Sequence, residues 1–86
     1  MARRPIKIEK GSLKRAKLYG LADIPARTIT IDIDAHKNER DLLDTVCHEV
    51  LHVAANDFLS ESAIEKISAD MADVLYRMKW RRIHGQ

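Results

Sequence analysis

Cysteine is almost absent from this sequence: Cys47 stands alone among 86 residues. One thiol cannot close an internal disulfide, and its scarcity fits a reducing compartment. Long apolar runs are absent too. None approaches the roughly 20 residues that a membrane-spanning helix needs. The opening stretch MARRPIKIEK is basic but lacks the apolar core of a secretory signal. These absences point to a soluble, cytoplasmic protein with no membrane contact. No internal repeat, low-complexity segment or linker divides the chain, so it is expected to form one domain over residues 1–86. A domain this short buries a modest share of its surface and has a thin stability margin. A bound metal would help, because its binding free energy adds to the folding free energy.

Charge is present but unevenly placed. Residues 1–27 carry 8 Lys and Arg against 2 acids, residues 28–73 carry 3 against 11, and residues 74–86 carry 4 against none. The basic ends, 1–12 and 80–86, are expected to be flexible. Such ends can touch nucleic acid, but they are read here as solvated termini balancing an acidic middle. Trp80 among Arg77, Lys79, Arg81 and Arg82 reads likewise as a helix end with extended basic side chains.

Hydrophobic periodicity orders the rest. Pro5 to Glu9 alternates as a short strand. Gly11-Ser12 breaks it. Leu13 to Leu18 fits a Ser12-capped helical turn or the start of a strand. A hairpin follows, pairing Leu18–Ala22 with Thr28–Asp34 across a turn at Asp23-Ile24-Pro25-Ala26. In the second strand Ile29, Ile31 and Ile33 face a core, while Thr28, Thr30, Asp32 and Asp34 face out. Asn38 is placed to cap a helix that runs to about Asn56, with Leu43, Val46, Cys47, Val50, Leu51 and Ala54 as its apolar stripe. A second helix starts at Ser60 or Ser62 and continues to about Arg82, with Ile64, Ile67, Met71, Leu75 and Met78 inward. The expected fold is α+β: a small antiparallel sheet of two or three strands packed on an α-hairpin.

The first helix carries His48-Glu49-Val50-Leu51-His52, an H-E-x-x-H motif. Residues four apart on a helix lie one turn apart on the same side, so both imidazoles can face one metal ion, with Glu49 beside its water. Shuffling this composition would yield the motif in about one chain in a hundred, so context must carry the rest. The histidines sit roughly 140–180° from the centre of the apolar stripe, away from the main core. Catalytic zinc usually takes three protein ligands and leaves one position open. A third histidine at the spacing H-E-x-x-H-x-x-G-x-x-H is excluded, because Ala55 and Phe58 occupy those positions. A carboxylate from the next helix is therefore expected. If the chain reverses near Phe58, Glu65 stands level with His52; Glu61 and then Asp57 are the alternatives. Glu65 has a competing reading as the capping-box partner of Ser62. His36 and His84 lack partners by spacing and read as surface residues. Cys47 points to the apolar stripe and reads as a buried structural thiol.

The order Gly20-Leu-Ala-Asp, Arg27-Thr-Ile-Thr-Ile-Asp, Leu43-x-x-x-Cys-His-Glu-Val-Leu-His, Leu59-Ser-Glu and Glu65 resembles small phage- and bacterium-encoded zincin-like metallopeptidases, and distantly the ImmA/IrrE type. The resemblance covers about two thirds of the chain, and only H-E-x-x-H is specific in itself. It implies zinc held by His48, His52 and Glu65, with Glu49 catalytic, in a bacterial or phage-infected cell. The expected function is zinc-dependent hydrolysis of a peptide or protein substrate. The exposed edge of the Thr28–Asp34 strand would bind the substrate as an added strand. The alternatives are a noncatalytic zinc-stabilised interaction module and a small DNA-binding protein.

Overall fold

The computed structural model describes residues 4–80. Strands β1 (Lys7–Lys10), β2 (Gly20–Asp23) and β3 (Thr28–Ile31) form one sheet, followed by helices α1 (Glu39–Ala55) and α2 (Glu61–Arg77). This is an α+β fold in which an α-hairpin packs on a small sheet.

The hairpin of β2 and β3 forms as its turn residues dictate. Ala26 N–H donates to Asp23 Oδ1 at 3.2 Å, Arg27 N–H donates to the Ile24 carbonyl at 3.1 Å, and Arg27 takes a left-handed φ of 49°. Ile29 pairs with Ala22 and Ile31 with Gly20, which puts both isoleucines on the face covered by α1. They are 0% and 2% exposed and anchor the core with Leu42 and Val53.

The sheet departs from the expected antiparallel pattern. Strand order is β1-β3-β2, and β1 runs parallel to β3, with Ile8 beside Ile29. After β1 the chain passes through a 3₁₀ turn at Lys14–Ala16 and enters the sheet on the far side, which leaves the centre for β3. The short strand expected over Pro5–Glu9 is thus present, at Lys7–Lys10. Expectations for residues 1–3 and 81–86, including those for His84, Arg81 and Arg82, fall outside the described residues. The central place of β3 also corrects the expected substrate edge, because both sides of that strand are already paired.

The end of β3 brings a second correction. The strand stops at Ile31 and the chain coils through a 3₁₀ turn at Ile33–Ala35. Asp32, expected to face out, is 4% exposed and accepts the Leu13 N–H at 2.9 Å. His36, expected at the surface, is 6% exposed. A buried polar group requires a partner, and each here has one.

Asn38 caps α1 as expected, its side chain accepting from Asp41 N–H at 2.9 Å. Ser60 caps α2, accepting from Ala63 N–H at 3.1 Å. Ser62 is then inside the helix, and the capping-box reading of Glu65 lapses. Because α1 packs on both the sheet and α2, it buries Leu42 and Val53 beyond the expected stripe, while Ala54 is exposed. On α2 the buried residues are Ile64, Ser68 and Ala72; Met71 and Met78, expected inward, are exposed. Small side chains let two helix backbones approach, and the Ser68 hydroxyl is satisfied within its own helix by the Glu65 carbonyl. No described helix is long and apolar enough to cross a membrane.

Candidate metal centre

His48 and His52 lie one turn apart on α1 and present Nε2 to each other at 3.1 Å. Glu61, the first residue of α2, closes the group: Oε1 stands 3.0 Å from His48 Nε2 and Oε2 3.0 Å from His52 Nε2. Among the described residues this is the one group of three or more candidate ligands within metal-binding range. Donors about 2.0–2.1 Å from a tetrahedral zinc stand about 3.3–3.4 Å from one another. The observed spacings therefore need to open by only a few tenths of an ångström. His52 Nδ1 faces Asn56 Oδ1 at 3.5 Å. That long contact suits an Nε2 ligand whose other ring nitrogen carries the proton and must be oriented. The histidine side chains are 24% and 21% exposed and Glu61 is 55% exposed, so water can reach the open side.

Glu65, expected as the third ligand, lies outside this group and lines a neighbouring cavity. The reason lies in the connection between the helices. Level pairing of Glu65 with His52 assumes helical rise on both sides of Phe58. Instead Phe58 and Leu59 N–H both bond to the Ala55 carbonyl, and Ser60 is extended, with φ −72° and ψ 162°. An extended residue advances about 3.3 Å against 1.5 Å in a helix. The chain regains height quickly, and Glu61 is already beside the histidines. Asp57, the remaining candidate, is also outside the group.

Glu49 faces a cavity of about 720 Å³ whose lining includes Tyr19, Gly20, His36, Asp44 and His48. Its carboxyl is pushed above the ordinary range, first by burial; the nearby His48 and His52 pull it down and Glu61 pushes it up. Cys47 is buried as expected, and burial together with the Asp44 charge raises its thiol, which keeps it protonated and unreactive.

Three cavity residues lie outside H-E-x-x-H. His36 Nδ1 donates to the Asp32 carbonyl at 2.8 Å, because a carbonyl can only accept. In the neutral ring Nε2 then accepts from the Thr45 hydroxyl at 2.8 Å. The Tyr19 ring leans on His36 at a centroid distance of 5.3 Å. Gly20 touches Thr45 and Glu49 across the gap between sheet and helix. A glycine within a strand pattern signals close backbone approach and was the one available cue. No family model matches the chain, and neither does any curated protein or solved structure.

Proposed function

We propose that this protein is a minimal zinc-dependent metallopeptidase whose metal is held by His48, His52 and Glu61. The observation that carries the reading is the convergence of His48 Nε2, His52 Nε2 and the Glu61 carboxylate, with contacts of 3.0–3.1 Å, across α1 and α2 beside Glu49. The H-E-x-x-H motif and the resemblance to zincin-like peptidases agree with it.

Bound there, zinc would supply Lewis-acid chemistry, lowering the pKa of a water and polarising a substrate carbonyl. Glu49 accepts the water's proton at its carboxylate and later delivers it to the leaving amine. The substrate backbone adds to the outer edge of β2, the sheet edge that begins at Gly20 beside Glu49. Peptide or protein is thus the substrate class.

The same three ligands clip α1 to α2, which would also suit a noncatalytic zinc-stabilised module. Glu49 separates the two readings, because a structural site has no use for it. The test is metal analysis of the wild type beside H48A, E61A and E65A, with a peptide-hydrolysis assay of wild type and E49Q. Zinc is expected at about one equivalent in the wild type, lost in H48A and E61A, and retained in E65A. Hydrolysis is expected to vanish in E49Q with zinc in place. A wild-type protein that takes up no zinc at neutral pH sinks both metal readings.

A further inference from the structure

β2 opens at Gly20 with φ outside the left-handed region, so no turn geometry demands glycine there. What the position demands is the missing side chain. A Cβ at Gly20 would lie 2.8 Å from Thr45 Cγ2, 2.9 Å from Glu49 Cγ and 3.0 Å from Glu49 Oε2. Two successive turns of α1 therefore press on one bare Cα.

The two contacts differ in how firmly they are held. Thr45 is β-branched, which restricts χ1 on a helix. Its hydroxyl is tied to His36 Nε2, and His36 is tied to the Asp32 carbonyl, both at 2.8 Å. His36 itself is buried. This chain of bonds fixes Thr45 to the link between β3 and α1. The Glu49 carboxylate has no hydrogen bond among the described residues, and it borders the open cavity. If a methyl group were added at Gly20, the unrestrained side chain would move, and that is Glu49.

We propose that Gly20 is a positioning residue: its bare Cα is the wall that aims Glu49 at the reacting centre, and the His36–Thr45 tie keeps that wall in register. The inference rests on the metallopeptidase reading for its consequence, but the contact can be measured without catalysis.

Two experiments test it. In the zinc-loaded protein, G20A is expected to lower kcat on a peptide substrate by about 10- to 100-fold. KM should stay within about twofold, since substrate binding is not what is lost, and zinc content should be unchanged. Adding T45S removes the nearest methyl, keeps the hydroxyl for His36, and should recover much of the lost kcat. An unchanged kcat in G20A, or a G20A/T45S double variant no better than G20A, overturns the proposal. The second experiment is a thermal double-mutant cycle in chelator with G20A and E49A. The fall in Tm caused by G20A should be smaller when Glu49 is alanine. An equal fall in both backgrounds overturns the proposal whether or not the protein cleaves peptides. If the wild type cleaves none, the peptidase reading fails, and the cycle alone decides whether Gly20 confines Glu49.

Discussion

At the scale of single residues, Glu49 sets burial against charge. Its carboxyl is raised mainly because burial disfavours the charged form. A carboxyl whose folded pKa lies above its unfolded value stabilises the fold while protonated and loses that contribution as pH rises through the folded value. In its charged form Glu49 therefore works against folding of the metal-free protein. In chelator, E49Q is expected to raise Tm near pH 7, with the gain shrinking toward pH 4. Thermal unfolding at the two pH values checks this, and a lower Tm for E49Q at neutral pH would contradict it. Activity and apo stability would then move in opposite directions on one substitution, as they commonly do at functional sites. His36 represents the opposite case: a histidine with both ring nitrogens bonded is a structural strut.

At the scale of elements, the site depends on how closely α2 approaches α1. The closeness comes from Ser68 and Ala72, both fully buried between the helices. A72L would overpack that seam, at a cost of about 1–3 kcal/mol. It should also weaken zinc binding, because Glu61 sits on the helix being displaced. M71A offers the contrast: Met71 is 42% exposed, and its loss should change Tm and zinc affinity little. Unfolding and zinc titration of the two variants side by side make the comparison, and equal zinc affinity in A72L and wild type would argue against the coupling. Ion pairing contributes less. Asp73 joins Arg77 at 3.1 Å and Arg40 at 3.8 Å, both partly exposed, and such pairs are worth at most about 1 kcal/mol.

At the scale of the molecule, a metal would join two helices that otherwise meet through a small core. Buried hydrophobic residues number seven among those described, so the stability margin is thin and a clip matters. Ligand that binds only the folded state adds about 2.7 kcal/mol at a hundredfold excess over Kd. In a domain of this size that corresponds to a rise of roughly 10–20 °C in Tm. The wild type should show this rise on zinc addition and E61A should not, as read by thermal melts with and without chelator. Equal rises in both proteins would remove Glu61 from the site.

The division of information follows range. Local chemistry is enough to place the hairpin turn at Asp23–Arg27, the Asn38 cap and the length of α1, because each depends on residues within a few positions. It is also enough to set His48 and His52 on one face with Glu49 between them, because helical periodicity alone does that. The sequence by itself therefore determines the placing of His48, Glu49 and His52 on α1. Tertiary structure decides what lies opposite them. Whether Glu61 or Glu65 completes the group turns on the path of five linking residues, and one extended residue there outweighs any count of helical rise. The burial of His36, the parallel pairing of β1 and the close seat of Gly20 on Glu49 all join residues far apart in the chain. No local pattern encodes such pairings, because they follow from which surfaces remain to be covered once the elements have formed.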